Sequence, residues 1–122
     1  MAQIELATIN IDCPDAHALS EFYLNLLDWV PHWADDDFVI IRNPAGGVRL
    51  SFQTEPCYVP PVWPDLAGQP GKSIHLDFLV DDLEKAAARA EAAGAVRAGV
   101  QELEGVVVMF DPAGHPFCLF LD

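Results

Sequence analysis

The stretch DPAGHPFCLF, Asp111 to Phe120, repeats NPAGGVRLSF, Asn43 to Phe52, without a gap and 68 residues further along the chain. A second pair lies upstream: TINIDCPDAHAL (Thr8 to Leu19) falls on HLDFLVDDLEKA (His75 to Ala86) at an offset of 67 residues. Two matched blocks in one order, at nearly one offset, mark a tandem repeat with a single-residue indel between them. Each upstream block runs from an alternating strand through an acidic turn into a helix. Each downstream block is a proline–glycine turn that feeds a strand.

Working outward, the first half predicts a strand over Ile4–Ile11, with Ile9 and Ile11 on one face and Thr8, Asn10 and Asp12 on the other. Pro14 suits a first helical turn and Asp15 complements the helix N-terminus. Ala16, Leu19, Phe22, Tyr23, Leu26 and Leu27 then form one apolar stripe. Strands are predicted around Trp29–Trp33 and Phe38–Arg42, split by the acidic turn Asp35–Asp37. A fourth, Val48–Gln53, follows the turn Asn43–Gly46. The second half repeats this order. Ser73–Val80 reads as a strand, Asp81 as an N-cap with Glu84 three residues on, and Leu83, Ala86, Ala90 and Ala93 as a helical stripe stopped by Gly94. Val96–Gln101, Val106–Phe110 and Pro116–Leu121 are the remaining strands. The order is strand–helix–strand–strand–strand, twice, which differs from the βαββαβ order of a ferredoxin-like fold.

Between the halves, Thr54–Lys72 holds five of the ten prolines. It is too proline-rich for a helix or a central strand. It also carries Tyr58, Val59, Val62 and Trp63, so it reads as an ordered crossover loop. The chain is taken as a single domain over 1–122: module one 1–55, loop 56–72, module two 73–122. Its 52% apolar and 20% charged residues are a globular composition. The net charge of −13 argues against nucleic-acid and anionic-membrane partners. No apolar run reaches the length of a membrane span, and MAQIELATINID has no secretory-signal pattern. Cys13, Cys57 and Cys118 lack C-x-x-C spacing and read as reduced thiols of a cytoplasmic protein.

The segments CPDAHALSEFYLNLLDW (Cys13 to Trp29), HLDFLVDDLEKA and DPAGHPFCLF, in paired βαβββ modules of this size, resemble the vicinal oxygen chelate superfamily. That group includes glyoxalase I, bleomycin-resistance proteins, fosfomycin-resistance enzymes and extradiol dioxygenases. With the PPVWP loop (Pro60 to Pro64), the chain looks most like the small glyoxalase-like domains of unassigned activity. The resemblance implies an α+β fold: two tandem βαβββ modules forming a curved mixed sheet, a cup, with helices outside. It also implies a homodimer.

In that family a divalent metal usually sits in the cup, held by the first and last strands of each module. Carried over one residue at a time, these positions fall on Thr8, on Leu50 or Ser51 depending on the indel, on His75, and on Cys118 in place of the family's carboxylate. Inward orientation favours Ser51. One imidazole and one thiol are fewer strong donors than a stable mononuclear centre needs. No metal or other cofactor is therefore expected. His75 and Cys118 are the weak metal candidates, and Asp77, about 7 Å along the strand from His75, is a stray third.

Alternation sends Thr8, Asn10, Arg49, Ser51, Gln53, His75, Asp77 and Cys118 to one face, while Ile9, Ile11, Leu50, Phe52, Leu76, Phe78 and Val80 pack under the helices. A plain solvent face usually carries Lys and Glu, so this mixture of polar types points to a ligand pocket. The pocket candidates are Thr8, Asn10, Ser51, Trp63, His75, Asp77 and Cys118, with Trp63 and Tyr58 as an aromatic lid. His17 and His32 read as surface residues. The expected function is binding of a small molecule in the cup without the usual metal, with catalysis left open. The alternatives are an antibiotic-sequestering, bleomycin-resistance-like protein and a metal-dependent lyase or dioxygenase.

Overall fold

In the computed structural model, which describes residues 2–122, the chain divides between Tyr58 and Val59 into two units. Each is a βαβββ module with its own four-stranded mixed sheet. The first contains β1 (Thr8–Cys13), α1 (Ala16–Leu27), β2 (Val30–Ala34), β3 (Phe38–Arg42) and β4 (Arg49–Thr54). The second contains β5 (Leu76–Leu79), α2 (Leu83–Ala93), β6 (Val96–Arg97), β7 (Val106–Phe110) and β8 (Pro116–Phe120). The strand orders are β1-β4-β3-β2 and β5-β8-β7-β6, with the first pair of each parallel and the others antiparallel. The fold is thus α+β, as the repeat predicts. Among the described residues no helix is long and apolar enough to cross a membrane.

In the first unit α1 packs on the sheet through Leu19, Phe22 and Tyr23, all at most 2% exposed. Tyr23 stacks on Phe52 at 5.5 Å and Phe22 meets Tyr23 edge-on at 4.8 Å. The helix begins at the N-cap Asp15, which accepts from the Ala18 N–H, so Pro14 lies outside it and not in its first turn. The strand predicted over Ile4–Ile11 starts later, at Thr8. Arg49 N–H donates to the Ala7 carbonyl, but Gly46 and Gly47, both at positive φ, turn the partner chain away before the ladder reaches Ile4. Ile4 and Leu6 are left exposed. The fourth strand likewise runs one residue later than Val48–Gln53. His17, predicted as a plain surface residue, is exposed but bonds through Nε2 to the Asp35 carbonyl at 2.7 Å.

The second unit departs further from expectation. Its strand begins at Leu76, not Ser73. In a parallel ladder of this register the next bond would come from the backbone N–H of residue 116, and Pro116 has none. The N-cap of α2 is Asp82, accepting from Lys85 N–H, and not Asp81, so Glu84 is one position too early for a capping box. Gly94 ends the helix as predicted, at φ 123, its N–H donating to the Ala90 and Glu91 carbonyls. Val96–Gln101 shortens to the two-residue β6. Beyond it the Gln101 side chain stands in for a strand: Nε2 donates to the Ala98 and Val108 carbonyls and Oε1 accepts from Val108 N–H, each at 2.9 Å. Arg97 ties β6 to α2 through Glu84 and Glu91, both at 3.4 Å. Phe117, Leu119 and Met109, at most 2% exposed, form the helix-side core, and Phe78 meets Phe117 edge-on at 5.7 Å.

Candidate functional site

Each sheet presents one face to its helix and one away from it. In the first unit the face away from the helix carries a directed hydrogen-bond chain. Asn10 lies opposite Ser51 in the β1–β4 register. Ser51 Oγ donates to Asn10 Oδ1 at 2.7 Å, Asn10 Nδ2 to Gln53 Oε1 at 3.3 Å, and Gln53 Nε2 to Glu55 Oε1 at 2.7 Å. Ser51 is 1% exposed, and its hydroxyl proton is committed to Asn10. Thr8 lies opposite Arg49 in the same ladder, outside this chain of bonds. Gln53 and Glu55 were legible only as further alternate positions after Ser51, and Glu55 was not singled out.

In the second unit the corresponding face joins polar and apolar groups. Asp77, Cys118 and Val108 form one cross-strand row, since β5, β8 and β7 pair at these residues. His75 precedes β5, and its Nε2 lies 3.2 Å from Asp77 Oδ1. One donor atom from each of His75, Asp77 and Cys118 lies within 4.8 Å of the others. Burial pushes the Cys118 thiol up from its ordinary pKa, and Asp77 adds to this, first through its charge and then by accepting a hydrogen bond from it. The ammonium of Lys72 acts weakly the other way. The next row on the same face is Phe110 opposite Pro116. Trp63, half-buried, packs edge-on to Phe110 with centroids 6.4 Å apart. Its loop is held close to the turn after β7. A Cβ on Gly114, whose φ is +92, would meet Pro60 Cβ at 2.9 Å.

The structure therefore brings His75, Asp77 and Cys118 together on one face and sets Trp63 on the neighbouring row. It joins Asn10 to Ser51 in the first unit. Phe110 and Lys72 were not singled out from the sequence. Phe110 sits at the end of an all-apolar run, VVVMF, whose two faces cannot be told apart by pattern alone.

The four positions at which the family resemblance places a metal do not fit one in this chain. Thr8 and Ser51 offer hydroxyls, poor donors for transition ions, and Ser51 spends its proton on Asn10 inside the sheet.

The doubled βαβββ fold has counterparts among known proteins. The family model described as the glyoxalase-like domain matches residues 8–120, and the chain belongs to that family. It is similar to a glyoxalase/bleomycin resistance protein/dioxygenase family enzyme from Burkholderia phytofirmans PsJN, at 20% identity and TM-score 0.72, covering 97% of this chain and 98% of that one. An antibiotic binding protein from Streptomyces sp. CB03234 is similar at 15% identity and TM-score 0.64, covering 99% and 98%. Lactoylglutathione lyase from Agrobacterium tumefaciens is similar at 15% identity and TM-score 0.62, covering 99% and 96%. Among curated proteins no significant sequence match is found.

Proposed function

We propose that this protein binds a small molecule on the open face of the second sheet, without the four-donor metal centre of its family. The observation that carries this reading is the adjacency of two unlike rows. Asp77 and Cys118, with His75 beside them, supply hydrogen-bonding groups, and Phe110 with Trp63 supplies an aromatic wall. A ligand with an apolar or planar body and a polar end matches both. The three cysteines are thiols, which supports a reducing compartment such as the cytoplasm. A homodimer is part of the same reading, since a small domain gains stability by pairing.

The charge of −13 favours a second reading, an antibiotic-sequestering protein that prefers cations. Thermal-shift measurements with chelator present, on a panel of cationic antibiotics and a panel of carbonyl metabolites at low and high salt, separate the two. A sequestering protein responds to the cations and loses the response in salt. Trp63→Ala should weaken binding of any hit by about 1–3 kcal/mol, as for a buried aromatic anchor. If neither panel shifts the melting point and Trp63→Ala chiefly unfolds the protein, the binding reading fails.

A further inference from the structure

The open face of the first sheet carries a feature of a different kind. The β3–β4 register runs from Phe38 opposite Gln53 to Ile41 opposite Leu50. Both strands extend one residue further, to Arg42 and Arg49, so the next step of the register sets two arginines side by side. Alternation puts both on the open face, because Val39, Ile41, Leu50 and Phe52 are the buried, helix-side residues. We propose that Arg42 and Arg49 bind the oxyanion of a small organic acid, a carboxylate or a phosphate, whose apolar body lies along the same face toward Trp33.

The charges are out of keeping with the rest of the chain. Acids outnumber bases by 19 to 6, so a guanidinium here readily finds a carboxylate, as Arg97 finds Glu84 and Glu91. Arg42 and Arg49 find none: among the described residues neither makes an ion pair or a side-chain hydrogen bond. Glu5 and Asp28, close in sequence to the same end of the sheet, pair with neither. Asp12, in contrast, lies opposite Gln53 at the far end of the face, roughly 13 Å along β1 from Thr8. Like charges directly opposite in a sheet repel each other. Arg49 is also half-buried in an interior strand, where an unpaired charge is costly. A bound anion relieves both conditions.

The neighbouring groups choose the kind of anion. Guanidinium forks match the paired oxygens of a carboxylate or phosphate. Thr8, opposite Arg49 on β1, adds a hydroxyl at the same end. On the other side Val30 lies opposite Arg42, and one row further Trp33 lies opposite Ile40. Trp33 is 52% exposed and packs at 6.3 Å against Phe38 of the same face. An anion with a planar or apolar body thus meets cations at one end and an aromatic surface at the other. All these residues belong to the first unit, so the inference does not depend on the second-sheet reading.

The test is a titration of the isotope-labelled full chain with phenyl phosphate, benzoate and benzylammonium, followed through the arginine Nε–H signals and the backbone amides. The expected result is a saturable shift of the Arg42 and Arg49 Nε–H signals and of the Thr8 amide with one or both anions, and none with benzylammonium. Which anion binds tells a phosphate ligand from a carboxylate. Arg42→Gln and Arg49→Gln should each weaken binding at least tenfold, while Lys85→Gln, which removes an equal charge from α2, changes it less than twofold. Arg42→Gln also ends the repulsion between the pair, so its melting temperature without ligand should not fall, which separates lost binding from lost folding. No saturable shift with either anion overturns the site. An equal response to benzylammonium, unaltered affinity in both arginine variants, or an equal loss in Lys85→Gln does so as well.

Discussion

Replacing Gln101 by Ala tests how the edge of the second sheet is finished, and with it the row that carries Cys118. The side chain makes three bonds of 2.9 Å, two of them to Val108, which is 9% exposed and lies directly opposite Cys118. Each bond is worth about 0.5–1.5 kcal/mol net. The full desolvation penalty does not apply, because Gln101 is itself exposed and water reaches the edge once the amide is gone. The Val108 carbonyl also keeps its bond from Ala98 N–H. The expected loss is therefore about 2 kcal/mol, below the sum of three full bonds. At this chain length that corresponds to a fall in Tm of roughly 8 °C. Gln101→Glu keeps the acceptor for Val108 N–H but sets a carboxylate oxygen against two carbonyls, so it should cost at least as much. Urea and thermal unfolding followed by circular dichroism measure both. A Gln101→Ala variant within 0.5 kcal/mol of wild type, the scatter of an ordinary surface substitution, would refute the reasoning.

Four further outcomes are expected. With chelator present, Cys118 should react with iodoacetamide more slowly than the exposed Cys57 near neutral pH, because burial and Asp77 hold its thiol pKa up and so lower its thiolate fraction. Asp77→Asn removes the charge, lowers that pKa and should speed alkylation of Cys118, moving its pH–rate curve to lower pH; peptide mass spectrometry reads each site. Gly114→Ala should cost about 2 kcal/mol or more in chemical denaturation, since it meets a positive φ and Pro60 at 2.9 Å together. Light scattering at micromolar concentration should report about twice the chain mass, as pairing of a small domain requires, and a strict monomer contradicts the dimer.

The repeat made the fold legible, because its signals are local chemistry. Asn43-Pro44-Ala45-Gly46 and Asp111-Pro112-Ala113-Gly114 each build a turn with their own side chains: Asn43 Oδ1 accepts from Ala45 N–H, and Asp111 Oδ1 accepts from the Ala113 and His115 N–H groups. Strand ends were less legible, because a partner sets them. Nothing near Ser73 says that Pro116 will withhold a hydrogen bond, and nothing near Gln101 says that its amide will replace a strand. At the site, alternation put His75, Asp77 and Cys118 on one face, whereas the register that makes Asp77 the neighbour of Cys118 needed the structure. Trp63 stood out as the aromatic in a proline-rich loop, but its partner Phe110 was hidden in a uniformly apolar strand.

The central claim is that the open face of the second sheet is where this protein takes its ligand. Chemical-shift mapping on isotope-labelled protein tests it most directly, using whichever compound of the antibiotic and carbonyl panels gives the largest thermal shift. The account predicts that the largest perturbations fall on the Trp63 indole N–H and on the backbone amides of Asp77, Val108, Phe110 and Cys118, and that they shrink at equal ligand concentration in Trp63→Ala. Perturbations confined to residues of β1–β4, or scattered over α1 and α2 with the Trp63 indole unmoved, would contradict it.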